Sequence, residues 1–479
     1  FTLHRGRAEA ICDAMIAREL RLPFHCQTRA DRVDPALLER MADDARAIGR
    51  SFGTLLKRAG GSTVAVGYDG RQSSPMLEHA VVEGLTASGC DVVQIGLSAT
   101  PMLYYAEASD AKVDGGIQIT GSHNPPNYNG FKMVFQGRPF FGQDIQRIGE
   151  IAASGDWEDG AGTVSERPVM DSYIERLLEG LDGIDRTALA SLKVGWDAGN
   201  GAAGPALEQL VAKLPGEHHV LFAEVDGTFP NHHPDPTVEE NLEDLRALVA
   251  EKGLDFGIAF DGDGDRIGAI DGTGRVIWGD QLLMIYAQDL LQRRAGATII
   301  ADVKASRALF DHVEAHGGKP VMWKTGHSLI KSKMKETGAP LAGEMSGHVF
   351  FADTYYGYDD ALYAGVRLIA ASARLGHSVT ELRGAMPDMV NTPPASVNSR
   401  SSGSVAGNSA VRMYSSEDSC RFTAGYLRPA RTPWNVRLTL CNSRSTSRSR
   451  SRRGSQLCPN RKTAIVGVLS RSWCLVICR

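Results

Sequence analysis

Three observations predict an α/β fold with mainly parallel sheets. Short apolar runs of strand character alternate with helical apolar spacing from about residue 62 to 390. The length of 479 residues corresponds to about three domains at roughly 150 residues each. Hydrophobic residues make up 42% and charged residues 23% of the chain, which is ordinary globular usage and excludes disorder along its whole length. Repeated strand–helix–strand order favours parallel pairing, with ligands held in loops at the carboxyl ends of strands.

The elements follow in order. Residues 62–68 (STVAVGY) read as a short buried strand. Residues 75–88 then place Met76, Leu77, Ala80, Val81 and Leu85 at helical spacing. Residues 91–96 and 115–120 are two more strands, and the rhythm resumes with a strand at 192–197, a helix from Gly204 and a strand at 220–225. Thr237 with Glu240 three residues on has the form of a capping box and predicts a helix start. Residues 254–260 (LDFGIAF) form a strand that ends in a cluster of Asp. A third block reads strand 298–303, helix 306–316, strand 320–323, a helix near 328–335 and a long amphipathic helix over 359–375.

The net charge of −4 argues against a dedicated nucleic-acid binder, but it hides two unlike compositions. From Ala395 to the end there are 15 Lys and Arg against 2 Asp and Glu, and 17 Ser in 85 residues. The other 394 residues carry 37 basic and 54 acidic side chains. Without sustained periodicity, the basic segment is expected to pack poorly. An RS-like run such as NSRSTSRSRSRRGS can attract nucleic acid electrostatically. Its abrupt onset fits a shifted reading frame better. Five of the 8 Cys lie in this segment and none forms a CxxC pair, which disfavours zinc and a redox motif. The N-terminal residues show no secretory signal, and no run of about 20 apolar residues predicts a membrane span, so a cytoplasmic location is expected.

Four motifs carry chemistry. Thr120-Gly121-Ser122-His123-Asn124-Pro125-Pro126 follows a strand and exposes a Ser hydroxyl next to a His that offers a proton acceptor or a positive charge. A turn with a capping Ser is the plainer reading. It is not G-x-S-x-G, which disfavours a hydrolase nucleophile elbow. Asp261-Gly262-Asp263-Gly264-Asp265-Arg266 sets three carboxylates at alternate positions, and their mutual repulsion calls for a hard cation such as Mg²⁺. An EF-hand fails because Arg266 stands at the sixth position and Gly272 at the twelfth. A solvated acidic turn is the bland alternative. Arg266 beside a metal suits a phosphate, which it can grip bidentately. Gly343-Glu344-Met345-Ser346-Gly347-His348 supplies acceptors and donors suited to sugar hydroxyls, or a polar turn. Gly199-Asn200-Gly201-Ala202-Ala203-Gly204, with Glu224 about 20 residues on, matches the dinucleotide fingerprint. Tight strand-to-helix packing explains the same glycines, and the other motifs point to phosphoryl chemistry.

In this order, TGSHNP, DGDGDR and GEMSGH resemble the α-D-phosphohexomutases, on the side of the bacterial phosphomannomutase/phosphoglucomutase branch. The likeness extends over about residues 46 to 394, through GYDGR at 67–71, NGFK at 129–132, DVKAS at 302–306 and TGHS at 325–328. It implies three related α/β domains around a cleft, with a fourth domain beyond them. It implies that Ser122 is a phosphoserine and that Asp261, Asp263 and Asp265 bind Mg²⁺ together with a phosphoserine oxygen. Glu344, Ser346 and His348 would then belong to a sugar-binding loop of the mannose/glucose type rather than the glucosamine type. Lys304 and His327 match cleft positions that contact substrate, and Lys132, Arg266 and His123 supply charge or proton transfer. The implied substrate is a hexose phosphate, passing through glucose 1,6-bisphosphate or mannose 1,6-bisphosphate.

The domains expected on this resemblance are a phosphoserine domain at 1–165 with an atypical N-terminal part, a metal-binding domain at 166–275 and a sugar-binding domain at 276–390. The basic tail at 391–479 stands where the phosphate-clamp domain belongs. Two departures bear on activity. Residues 18–33 lack the family's Tyr-Asp-x-Arg-Gly segment, and residues 395–479 lack its Arg-x-Ser-Asn-Thr loop. Both read as local frame changes. Hydrogen bonds to charged groups are each worth roughly 1.5–3 kcal/mol, so a lost clamp of two or three would weaken substrate binding by about 3–6 kcal/mol. Impaired turnover is therefore expected. A non-catalytic sugar-phosphate binder and a phosphoglucosamine mutase are the alternatives.

Overall fold

Three sheets repeat one strand plan. In the computed structural model, which describes residues 35–387 apart from the side chains of 35–40 and 188, the first sheet comprises β1 (Thr63–Tyr68), β2 (Asp91–Leu97), β3 (Gly115–Ile119), β4 (Phe131–Phe135), β5 (Arg138–Pro139) and β6 (Val164–Glu166). Their order is β5-β4-β3-β1-β2-β6. The second sheet comprises β7 (Lys193–Asp197), β8 (Glu217–Leu221), β9 (Phe256–Phe260), β10 (Ile267–Asp271) and β11 (Val276–Ile277), in the order β11-β10-β9-β7-β8. The third comprises β12 (Thr298–Asp302), β13 (Lys319–Trp323), β14 (Leu341–Gly343) and β15 (Val349–Phe351), in the order β13-β12-β14-β15.

In each sheet a first strand lies between two parallel neighbours, and the third strand is followed by an antiparallel fourth. Parallel pairs are the majority, as expected, and each sheet adds an antiparallel segment on one side. The cause is loop length. Only residues 261–266 separate β9 from β10, and a parallel return needs a crossover of a dozen or more residues.

Strands β3, β4, β9 and β10 are buried at every position, as sheets covered on both faces require. One apolar core runs from Met102 and Leu103 through Tyr173, Trp196 and Phe260 to Leu282, Val366 and Ile369. The described residues thus belong to one compact unit. Helix Ala361–Leu375 lies in that core, and the Asp360 carboxylate caps it by accepting from the Tyr363 backbone N–H.

Several expected elements shift. Helix Thr100–Ala108 was not anticipated, because TPMLYYAEA is buried on all sides and shows no polar face. Thr237 does not start a helix. Its N–H and Oγ1 donate to Asp235 Oδ1 at 3.0 and 2.7 Å, and helix Glu243–Lys252 begins after a 3-10 turn at Glu239–Leu242. The strand expected at 220–225 is Glu217–Leu221, which stops where Phe222 takes a φ of 52°. The departure at residues 18–33 and the tail at 391–479 lie outside the described residues. Among the described residues, no helix is long and apolar enough to cross a membrane.

Candidate active site

The loop after β3 carries Ser122 in the left-handed region, with φ of 49°. That conformation is costly for a residue with a Cβ and needs outside support. Ser122 is buried, and its Oγ donates to Asp261 Oδ2 at 2.8 Å and lies 3.2 Å from His123 Nδ1. Its N–H donates to Thr120 Oγ1 at 2.8 Å. Burial, with Arg266 next, lowers His123 to about 4. The imidazole is thus neutral near pH 7 rather than the standing positive charge allowed by the sequence.

Asp261, Asp263 and Asp265, on the loop after β9, are fully buried, and one oxygen of each lies within 4.8 Å of the others. Asp261 Oδ1 accepts from the backbone N–H groups of Asp265 and Arg266, both at 3.1 Å. Asp263 Oδ2 accepts from Lys132 Nζ at 2.7 Å, from Thr120 Oγ1 at 3.2 Å and from Thr100 Oγ1. Lys132 also bonds Asp265 Oδ2. Burial opposes the ammonium charge of Lys132, but Asp263 and Asp265 hold its pKa well above the usual lysine range. Burial and the two neighbouring carboxylates push Asp261 well up. Asp263 Oδ1 is buried without a hydrogen-bond partner, and Asp265 Oδ1 has only His348 Nε2 at 3.4 Å. An orphaned carboxylate oxygen on an all-oxygen cluster fits a hard divalent cation. A Cβ on Gly262 would meet Ser122 O at 2.6 Å, so only Gly lets the two loops approach this closely.

The loop after β14 closes the cluster from the third sheet. His348 is buried, with Nδ1 3.0 Å from Glu344 Oε2 and Nε2 3.4 Å from Asp265 Oδ1. Burial opposes its charge, yet Asp265 and Glu344 raise it to about 9. Arg266 Nε lies 3.4 Å from His348 Nε2 and 3.9 Å from Asp261 Oδ2. With a carboxylate at each ring nitrogen, His348 is the protonated partner of those acids and not an acceptor for Arg266. Ser346 Oγ lies 3.0 Å from His348 Nδ1. Glu344 Oε1 accepts from the Gly326 backbone N–H. His327 stacks on His348 with ring centroids 5.4 Å apart, and its Nδ1 is 3.1 Å from Asp359 Oδ2.

The structure therefore gathers Ser122, His123, Lys132, Asp261, Asp263, Asp265, Arg266, Glu344, Ser346, His348 and His327 into one chain of contacts. Lys304 is exposed on the loop after β12, outside that chain. Glu344 and His348 are both buried, Glu344 between His348 and the Gly326 backbone. Sequence reasoning missed Thr100, Asp359 and Lys331, whose Nζ is 2.7 Å from Asp359 Oδ1. They carry no local signal, since folding alone brings them to the cluster. The dinucleotide-like glycines turn out to serve packing. A Cβ at Gly201 would meet Gly262 O at 2.8 Å and one at Gly204 would meet Ala223 O at 1.9 Å, while Ala202 N–H donates to Gly262 O at 2.9 Å.

Comparison with known proteins agrees with this geometry. Three family profiles match, described as phosphoglucomutase/phosphomannomutase, alpha/beta/alpha domain I over residues 39–159, domain II over 171–274 and domain III over 278–389. The phosphomannomutase/phosphoglucomutase of Pseudomonas putida is 46% identical over 357 residues, covering 74% of this chain and 76% of that protein. The phosphoglucomutase of Neisseria gonorrhoeae is 42% identical over 358 residues, with 74% and 76% covered. A crystal structure of a phosphoglucomutase/phosphomannomutase family protein from Burkholderia thailandensis superposes with a TM-score of 0.71 at 45% identity, covering 77% of this chain and 79% of that one. With three consecutive domains matched and identities of 42–46% over about three quarters of its length, this chain belongs to the α-D-phosphohexomutase family of mutases.

Proposed function

We propose that this mutase interconverts the 1- and 6-phosphates of mannose or glucose through a phosphoserine at Ser122 and a bound hexose 1,6-bisphosphate. The observation that carries the reading is Ser122 Oγ donating at 2.8 Å to Asp261, beside two further buried carboxylates. Phosphoryl transfer depends on positioning and charge neutralisation more than on covalent help. In the first half-reaction the Oγ–P bond of phospho-Ser122 breaks as a sugar hydroxyl oxygen bonds to phosphorus. The hydroxyl proton ends on Ser122 Oγ, and neutral His123, 3.2 Å away, is suited to relay it. After the bisphosphate reorients, the reverse exchange restores phospho-Ser122.

Asp261, Asp263 and Asp265 would hold Mg²⁺, which when bound neutralises charge on the phosphoryl oxygens. Lys132 and Arg266 keep further positive charge beside that point. Glu344, Ser346, His327, Lys304 and His348 are assigned to the sugar side of the cleft, His348 by fixing Glu344. GEMSGH favours mannose and glucose over glucosamine. On this reading residues 1–165 form the phosphoserine domain, 166–275 the metal-binding domain and 276–390 the sugar-binding domain of a cytoplasmic enzyme. Turnover by this chain is impaired, because residues 395–479 contain no Arg-x-Ser-Asn-Thr segment.

The test is an assay of the purified chain with Mg²⁺, glucose 1-phosphate and a trace of glucose 1,6-bisphosphate, beside Ser122→Ala and a metal-free control. Slow conversion that needs both Ser122 and Mg²⁺ supports the proposal. Conversion that survives Ser122→Ala overturns the phosphoserine route, and turnover matching the Pseudomonas relative overturns the impairment. Folded protein that binds glucose 6-phosphate but takes up no phosphate at Ser122 is instead a non-catalytic binder.

A further inference from the structure

The guanidinium of Arg71 is buried beneath the Ser122 loop, with its side chain fully shielded from solvent. Each of its nitrogens is engaged. Nε donates to Asp69 Oδ2 at 3.0 Å, and Nη2 donates to the carbonyls of Ser122 at 2.6 Å and Asn124 at 2.7 Å. Nη1 donates to the carbonyls of Tyr128 at 3.1 Å and Pro125. A guanidinium has five N–H donors in a rigid plane, and here five acceptors meet them. Four of those acceptors are backbone carbonyls within seven consecutive residues that begin at Ser122.

Three further features tie this group to the Ser122 conformation. Asp69, the anionic partner of Arg71, accepts the Gly121 N–H at 3.1 Å, so the pair grips the chain on both sides of the Ser122 amide. A Cβ at Gly121 would stand 2.4 Å from Arg71 Cζ, so the loop rests directly on the guanidinium. Arg71 also meets the second domain, with Cζ 5.3 Å from the Phe229 ring centroid.

We propose that Arg71 is a positioning residue for phosphoryl transfer, holding Ser122 in its left-handed conformation so that Oγ stays aimed at Asp261. The inference rests on the phosphoserine reading above. Ser122 takes a φ of 49° with no glycine to ease it. The carbonyl that this conformation turns inward is the one captured by Arg71. A lysine keeps the charge, but its three donors on one atom cannot meet carbonyls spread over residues 122–128.

The experiment compares the whole chain with Arg71→Lys and Gly121→Ala, the second leaving Arg71 intact and crowding it with a methyl group. Three readouts are taken with glucose 1,6-bisphosphate and Mg²⁺. They are the rate of phosphate uptake at Ser122 by intact mass, kcat against KM for glucose 1-phosphate, and amide hydrogen exchange of residues 120–128. In folded Arg71→Lys we expect phosphate uptake and kcat to fall at least 10-fold with KM changed less than 3-fold. Exchange should rise at least 10-fold in 120–128 and stay unchanged in helix Pro35–Arg58. If Arg71→Lys does not fold, Gly121→Ala is expected to show the same pattern and decides the question. Uptake and kcat within 2-fold of the parent chain in the folded variant overturn the proposal. A parent chain that takes up no phosphate refutes the phosphoserine reading instead. The exchange arm then decides the role of Arg71, because unchanged exchange in 120–128 overturns it.

Discussion

Asp360 should make the stability of this protein fall as pH rises through weakly acidic values. Its carboxylate is buried at the junction of three elements. It accepts from Tyr355 OH at 2.8 Å, from Tyr173 OH at 3.0 Å and from the Tyr363 N–H at 2.9 Å. Burial outweighs those three donors and raises Asp360 to about 6. An unfolded Asp titrates near 3.9, so the folded state holds this proton more tightly by about 2 pKa units, or about 3 kcal/mol. For a raised carboxyl pKa the stabilising contribution is complete below about pH 4 and lost as pH climbs past 6. Between about pH 5 and 8 the loss is about 1.4 kcal/mol. Asp360→Asn keeps an acceptor for the Tyr363 N–H and carries no charge at any pH. Urea unfolding followed by fluorescence of buried Trp196 measures both proteins at each pH. The stability difference, variant minus parent, should grow in the variant's favour by about 1.4 kcal/mol from pH 5 to 8. A difference that stays flat to within about 0.5 kcal/mol would refute the reasoning, since other titrating groups cancel in the subtraction.

Three further outcomes are expected around the carboxylates. Thr100→Val removes a donor from buried Asp263 and should destabilise by about 1.5–3 kcal/mol, with Thr100→Ser restoring most of it; equal stability of Val and Ser variants in urea would count against the contact. Lys132→Met leaves Asp263 and Asp265 without their shared cation and should cost about 3–5 kcal/mol. Magnesium chloride should therefore raise the melting temperature of Lys132→Met by more than it raises that of the parent, and equal shifts in a thermal scan would sink the argument. Gly262→Ala pushes a methyl group into the Ser122 carbonyl, 2.6 Å from the ideal Cβ. We expect a folded protein with turnover reduced at least ~10-fold, because catalysis is sensitive to displacements of about 1 Å. Parent-level turnover would contradict this.

The loops that carry chemistry were legible because each packs its reactive groups into a few consecutive residues after an apolar strand. Ser122, Asp261, Asp263 and Asp265 needed no long-range information. Lys132 and His348 were legible as candidates, but not what they touch. Lys132 lies on two carboxylates more than 130 residues away in the chain, and His348 bridges acids of two different loops. Arg71 read only as part of GYDGR, because a buried arginine has the same letter as an exposed one. Helix Thr100–Ala108 escaped because burial all round erases the apolar stripe that periodicity detects. The start near Thr237 misled because Asp235 competes for the same Thr donors.

The repeated strand plan explains why the chemistry divides among three loops. In every sheet the reactive segment joins the third strand to its antiparallel fourth: TGSHNP between β3 and β4, DGDGDR between β9 and β10, GEMSGH between β14 and β15. In the outer two units an Asp at the end of the first strand pins that loop through a backbone N–H. Asp69 holds Gly121 at 3.1 Å, and Asp302 holds Met345 at 3.3 Å. The register matches, with Tyr68 opposite Ile119 and Ala301 opposite Gly343. The middle unit differs. Asp197 lies opposite Ala259, and its carboxylate turns away to the Gly199 N–H at 2.8 Å and to His232 at 3.0 Å. The DGDGDR loop is pinned by main chain instead, Ala202 N–H to Gly262 O. A fourth carboxylate beside Asp261, Asp263 and Asp265 would add repulsion in a buried site where Lys132 already offsets two of them. The glycines of GNGAAG let backbone do in the middle unit what an aspartate does in its neighbours, and their match to a dinucleotide fingerprint follows from that packing.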